Sequence, residues 1–163
     1  MKEPTADYRG FTFLCNFGFN KPPPQPIMKA ICYISNFSKD LDKKSIDNLV
    51  YDVNKKNKIH DVTGLLIIKN KHFFQILEGE EEKTNHLYKK IKTDSRHTGV
   101  IKLLDTKIEG RLFKDYNSGE FEVFQKFSDM KKLYLYFNWI KNADYLPADE
   151  IIKLTTNFLN NNK

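Results

Sequence analysis

Phe73-Phe74-Gln75-Ile76-Leu77-Glu78-Gly79 is the stretch whose reading decides the fold. It alternates as a strand does, and the period of two puts Gln75 on the same face as Phe73 and Leu77. A primary amide is thereby turned toward an apolar interior, where leaving it unpaired costs roughly 1–3 kcal/mol. Either nearby backbone satisfies it, or the rest of the chain brings a partner to it.

Working outward, residues 62–68 form a second strand, joined to this one by the short hairpin loop Lys69-Asn70-Lys71. Before them, residues 42–56 read as a helix whose buried stripe is Ile46, Leu49, Val50 and Val53. Asn57 lies four residues after Val53 and continues the stripe; the alternative is a simple helix C-cap. Residues 29–35 are the first strand, with Ile31, Tyr33 and Ser35 on one face and Cys32 and Ile34 on the other. Downstream, residues 82–93 form a helix with Thr84, Leu87, Tyr88 and Ile91 inward, and the acids at its start suit the helix dipole. Asp94-Ser95-Arg96-His97 closes it, and strands follow at 100–108 and near 117–123. The order β-α-β-β-α-β-β predicts an α+β, ferredoxin-like sandwich with both helices on one sheet face.

Two segments flank this unit. Residues 1–27 form a leader ending in Pro22-Pro23-Pro24-Gln25-Pro26, a run that favours polyproline II and forbids helix. It is either disordered or packed on the domain. The domain is expected over 28–127, with a two-helix C-terminal appendage over 128–163. Met130, Leu133, Tyr134, Phe137 and Ile140 make one stripe of the appendage; Pro147 opens its second helix, which carries Ile151, Ile152, Leu154 and Phe158. So many apolar residues need a cover, either the free sheet face or another subunit.

Composition narrows the function. The chain has 163 residues, two cysteines and a formal net charge of +6. Its lysines are interleaved with acids, which suits solvated faces better than a nucleic-acid footprint. No apolar run approaches the ~20 residues of a membrane span. No signal-peptide pattern is evident, and Cys15 and Cys32 lack metal or redox spacing, so a cytoplasmic protein is expected. Asn36-Phe37-Ser38 is read as a chance glycosylation match. His60, His72, His86 and His97 show no shared ligand spacing, and neither a phosphate loop nor a nucleophile motif appears. Neither a metal nor an enzymatic activity is expected.

Tyr33, Gln75, Asn57, Arg96 and His97 converge where two helices lie side by side on one sheet face. A slot between them lined by Leu49, Phe73 and Ile91, with amides at its floor, suits a flat heteroaromatic ring. The chain here resembles a BLUF domain, the blue-light sensor that uses FAD. The resemblance runs from Ala30 to Gly119. It includes Tyr33-x-Ser35, the spacing from Asn57 to Thr63-Gly64, the Phe-Phe-Gln-x-Leu-Glu-Gly run, Asp94-Ser95-Arg96-His97, and Arg111-x-Phe113.

The resemblance implies roles. Tyr33 is similar to the photoactive tyrosine, Gln75 to the glutamine that bridges tyrosine and flavin, and Asn57 to the asparagine that bonds a ring carbonyl. Leu49, Phe73 and Ile91 match the apolar ring contacts, and Arg96 and His97 the basic pair at the flavin edge. Lys90, with Asp94 as its helix partner, falls where some members place an arginine near the cofactor. The chain departs from the pattern at Lys56 and at Ile59, whose place is often basic, so that phosphate contacts are weaker or fall to Lys58. Tyr116 and Ser118 stand where the family often has Trp and Met, on the segment tied to signalling. The implied function is a photoreceptor in which Tyr33 gives an electron and a proton through Gln75, leaving the amide rotated or tautomerised. Output then passes to the C-terminal region and to a homo-oligomer or a downstream protein partner. The alternatives are a ferredoxin-like nucleic-acid- or ligand-binding module and a small acyl-phosphate hydrolase.

Overall fold

The computed structural model describes residues 25–114, 122–126, 130–141 and 146–161. In chain order its elements are β1 (Met28–Phe37), α1 (Lys43–Ile59), β2 (Thr63–Lys69), β3 (His72–Glu80), α2 (Glu81–Lys92), β4 (His97–Ile108), β5 (Glu122–Phe124), α3 (Met130–Ile140) and α4 (Leu146–Asn161). One five-stranded sheet has the order β4-β1-β3-β2-β5. The first four strands are antiparallel, and β5 adds alongside β2 in parallel. This is the expected ferredoxin-like arrangement with one strand more. The fifth strand, expected near 117–123, is found over Glu122–Phe124, and residues 117–121 lie outside the described residues.

Local chemistry sets the boundaries. The Asp42 carboxylate accepts the Ser45 amide proton at 2.8 Å and caps α1 at its N-terminus. Glu81 and Glu82 occupy the first turn of α2, where the helix dipole favours acids. The β2–β3 hairpin turns on two residues, Asn70 and Lys71, both at positive φ, as a type I′ turn requires. Its register pairs Lys69 with His72, so the loop is one residue shorter than expected. Gly64, at φ 135°, takes a backbone conformation that a side chain would strain, inside a strand buried along almost its whole length.

The sheet separates two cores. On one face Ile31, Tyr33, Leu66, Phe73 and Leu77 pack against Leu49 of α1 and Tyr88 of α2. On the other, Ala30, Cys32, Leu65, Ile67, Phe74 and Ile76 pack against Met130, Leu133, Phe137, Ile151 and Phe158 of α3 and α4. The rings of Phe74 and Phe158 stack at 4.9 Å between centroids. Of the two covers open to the C-terminal stripes, the structure gives the sheet face. Met130, Leu133, Phe137, Ile140, Ile151 and Phe158 are buried within their own chain, and Tyr134, Ile152 and Leu154 are partly buried against the same core. Among the large apolar residues described in α3 and α4, only Leu135 is exposed.

Cutting the chain after residue 127 would uncover the whole of that second face. The expected outcome is a lower unfolding midpoint and light-scattering evidence of association, since each buried Leu, Ile or Phe lost removes roughly 1.5–3 kcal/mol of burial. Unchanged stability and mass would contradict this packing.

Candidate functional site

The centre of the site is a register. β1 and β3 pair so that Tyr33 lies directly across from Gln75, and β3 and β2 pair so that Gln75 lies across from Leu66. Directly opposed residues project to the same face. The Tyr33 hydroxyl donates to Oε1 of Gln75 in a short hydrogen bond. Tyr33 is fully buried and Gln75 nearly so. Burial, with a smaller push from the Asp94 charge, raises the phenol pKa well above its usual range, so the proton stays on oxygen. The buried amide thus has a side-chain partner, and a tyrosine rather than backbone supplies it.

A slot of about 110 Å³ opens between α1 and α2 above this pair. Its lining contains Leu49, Asn57, Gln75, Lys90, Ile91, Arg96 and His97, seven of the nine residues expected there. Tyr33 lies behind the lining and reaches it through Gln75. Phe73 also stands back: its ring packs on His97 at 4.4 Å and on Phe37 at 4.5 Å, so it supports the wall. Asp52, Val53, Lys56, Leu66, Leu87 and Asp94 complete the lining and were not expected there. Leu66 follows from the register opposite Gln75, and Val53 and Leu87 from their helix stripes. Asp52 and Lys56 flank the α1 stripe on its polar edge, where periodicity alone reads solvent.

Two polar groups differ from expectation, and the alternative reading of a third is removed. Asp94 pairs with Arg96 rather than with Lys90. Its carboxylate accepts from Arg96 Nη2 at 2.6 Å and from Nε at 2.9 Å, and Asp52 of α1 approaches the same guanidinium at 3.9 Å. Arg96 therefore spans from the end of α2 toward α1 across the slot. His97 is not the second member of a basic pair. Burial pushes its pKa down to about 4, so the ring is neutral at physiological pH and shares a 2.8 Å hydrogen bond with Ser35. Asn57 is not the C-cap of α1, a position that falls to His60.

Asn57 is 2% exposed, and its Nδ2 has no hydrogen-bond partner among the described residues. Such an orphan costs roughly 1–3 kcal/mol unless something fills the slot. The donor set fits a flavin ring: a free amide donor, a second amide already tied to tyrosine, a carboxylate with a guanidinium, and walls of Leu and Ile. The slot alone is smaller than a drug-sized ligand site. It adjoins an outer pocket of about 360 Å³ lined by His60, Glu82, Lys83, His86, Leu87 and Lys90, and the two share Leu87 and Lys90. Together they reach the range of roughly 300–1,000 Å³ usual for such sites. Tyr116 and Ser118 lie outside the described residues.

The chain is similar to several known proteins. The chain is 37% identical over 78 residues to the blue light- and temperature-regulated antirepressor BluF of Escherichia coli (strain K12), an alignment covering 48% of this chain and 19% of that protein. Klebsiella pneumoniae BlrP1, solved with FMN and cyclic diGMP, superposes with a TM-score of 0.53 at 30% identity over 60% of this chain and 26% of that one. The photo-activated state of BlsA superposes with a TM-score of 0.57 over 66% of this chain and 76% of that one, at 23% identity, a likeness of fold. The chain thus spans only a minor part of the first two relatives. The family described as "BLUF: Sensors of blue-light using FAD" matches residues 28–119, more than half of the chain. With Tyr33 bonded to Gln75 at the floor of a slot that holds an unsatisfied Asn57, the chain belongs to the BLUF family of blue-light sensors.

Proposed function

We propose that this chain is a photoreceptor module that binds FAD in the slot between α1 and α2 and signals by rearranging the hydrogen bonds of Gln75. The observation that carries the reading is the buried Tyr33–Gln75 bond beside an orphaned Asn57 donor. When bound, the flavin supplies absorption of blue light and an electron acceptor. Leu49, Val53, Leu66, Leu87 and Ile91 would flank the ring, Asn57 Nδ2 would donate to a ring carbonyl, and Asp94 and Arg96 would meet its polar edge. Tyr33 gives its hydroxyl proton to Gln75 and takes it back, and the amide is left rotated or tautomerised. The neutral His97, fixed by Ser35, adds no charge that would compete for that proton.

FAD rather than FMN is supported by the outer pocket. Lys83 and Lys90, with His60 and His86, offer cations and donors for phosphates beyond the ring. Ile59, by contrast, is 69% exposed and contributes no such group. The module acts as a sensor rather than an enzyme: residues 28–127 detect light, the C-terminal helices read it out, and the signal passes to a second copy or to a protein partner. The segment holding Tyr116 and Ser118 joins the turn after β4 to β5 and belongs to that route. No helix of the described residues is long and apolar enough to cross a membrane. The nucleic-acid reading is not favoured. Both sheet faces are covered by helices, and among the described residues no aromatic lies exposed on the sheet for base stacking.

Two predictions follow from the site. The purified protein is expected to be yellow and to release FAD on denaturation, identified by chromatography. Asn57→Ala is expected to weaken flavin binding about tenfold, the value of one net hydrogen bond, while flavin-free stability stays within about 1 kcal/mol of wild type because that donor is unpaired without ligand. A fall in stability with unchanged flavin affinity would make Asn57 structural.

Gln75→Leu keeps similar volume and removes the amide. It is expected to retain flavin and to lose the reversible red shift of the flavin absorbance under blue light. Tyr33→Phe is expected to keep flavin and to lose the normal photocycle, since Phe has no hydroxyl proton. A normal red shift in either variant would remove that residue from the switch.

A further inference from the structure

Glu78 lies three residues beyond Gln75 on β3, is fully buried, and takes no part in the slot. Burying a carboxylate is costly unless donors surround it. Here the backbone amides of Leu112 and Phe113 donate to its two oxygens at 3.1 and 3.0 Å, and the Thr63 hydroxyl donates at 3.3 Å. The two amides belong to successive residues of the turn after β4. A second grip holds the same turn. Arg111 forks onto the Asp61 carboxylate at 2.6 and 2.9 Å and onto the Asp61 carbonyl at 2.9 Å. Asp61 follows the end of α1, and the neighbouring Val62 amide donates to the Asn57 carbonyl at 2.9 Å. Gly79 permits the close approach: a Cβ there would sit 3.3 Å from the Asp61 carbonyl oxygen.

The far side of the turn is held by α3. The Tyr136 hydroxyl donates to the Leu112 carbonyl, and the buried Phe113 ring lies 6.4 Å from that of Phe137. Gln75 and Asn57, the two amides of the slot, therefore lie on segments clamped to one short turn, and that turn is clamped to the helix pair on the opposite sheet face.

We infer that Glu78 is a positioning residue for output: by gripping the Leu112 and Phe113 amides it ties the strand that carries Gln75 to α3. The assignment rests on the photoreceptor reading for its signalling meaning, and on the geometry alone for the clamp. The groups that face Glu78 are the Thr63 hydroxyl from β2 and, from the turn, the two amides and the Arg111 guanidinium, itself paired with Asp61. Burial raises its carboxyl pKa to about 7, against the pull of the amides, of Thr63 and of Arg111. The ionised carboxylate accepts from both amides. The protonated acid loses acceptor strength on one oxygen, so the clamp is tight above pH 7 and loosens below it. For stability the sign is opposite: an acid whose folded pKa lies above its unfolded value of roughly 4.5 contributes fully below that value, and the contribution is lost as pH rises through about 7. Grip and global stability therefore move in opposite directions across this window.

The test is amide hydrogen exchange of the full chain loaded with flavin, in dark and light, from pH 6 to 8.5, corrected for intrinsic exchange rates. In the dark, wild type is expected to protect Leu112, Phe113 and α3 with a midpoint near pH 7. Glu78→Gln, whose amide nitrogen faces a donor where the carboxylate accepted, is expected to lose about fivefold of that protection and its pH dependence, one net hydrogen bond's worth. In the light, wild type is expected to change protection in the turn and α3, while Glu78→Gln keeps the flavin red shift and loses the change in α3. Tyr136→Phe, which opens only the α3 side, is expected to keep the protection of Leu112 and Phe113 and to lose the coupling, and it decides the matter if Glu78→Gln does not fold. Equal dark protection of Leu112 and Phe113 in wild type and Glu78→Gln, or light–dark changes in α3 unaltered by either variant, would overturn the assignment. A wild type without a red shift would overturn the photoreceptor reading instead, while the dark profiles still decide the clamp.

Discussion

A tyrosine hydroxyl and a glutamine amide meet across the central pair of strands, away from water, and most of the architecture serves to hold them there. The contact needs β3 between β1 and β2, and it needs the register that sets Tyr33 opposite Gln75. A slip of one residue in either strand would send one partner to the other core. That slip is opposed by both cores at once. Phe73 and Leu77 belong with α1 and α2, while Phe74 and Ile76 belong with α3 and α4, so a shifted register misplaces apolar residues on both faces. The two-residue hairpin at Asn70 and Lys71 fixes the β2–β3 register independently. A bond worth about 1 kcal/mol is thereby placed by burial worth many times that.

Rearranging such a bond shifts a two-state balance by only about two- to tenfold. Signal transmission therefore depends on what is attached to the strand. The covered second face matters here, because a packed helix pair has discrete positions where a solvated sheet face would have none. The turn at Arg111 to Phe113 is the place where the slot side and the helix side share polar contacts, and its link to the helix side, the neutral hydroxyl–carbonyl bond from Tyr136 to Leu112, is of the same kind as the one that changes. A much stronger attachment would leave the helices indifferent to the amide, and a weaker one would leave them unconnected to it.

Much of the fold was legible because period and punctuation agreed. Alternation through Phe73 to Leu77, the stripe from Ile46 to Val53, and the acids opening α2 each give one answer. The site was legible in its inner residues for the same reason: Tyr33, Gln75, Leu49, Asn57 and Ile91 sit where strand and helix periods place them. What could not be read were choices between partners of equal charge chemistry. Asp94 stands four residues after Lys90 and two before Arg96. Helical spacing favours the first, but the helix ends at Lys92, and the guanidinium fork then takes the carboxylate. His97 is read as half of a basic pair through the family resemblance, and burial makes it neutral. Glu78 was visible in the motif yet silent, since the amides that bind it come from a turn with no periodicity of its own.

The division between satisfied and unsatisfied polar groups gives the site its direction. Glu78 and the Tyr33 hydroxyl are deeply buried and paired within the chain, and the half-buried His97 is paired with Ser35. These groups hold geometry and need no ligand. Asn57 Nδ2 is buried on the wall of the slot and unpaired among the described residues. A chain selected for stability alone would place an apolar residue there, in line with Val53 and Leu49 on the same stripe of α1. Keeping the amide leaves a desolvation cost in the ligand-free protein that, on the proposed reading, a ring carbonyl would remove, so binding would be favoured partly because the empty site is unfavourable. On the proposed reading the same ring would lie against Gln75, whose amide oxygen already accepts from Tyr33. Any change in what the ring accepts from Gln75 must therefore be answered by the tyrosine, and through β3 by the turn that Glu78 holds.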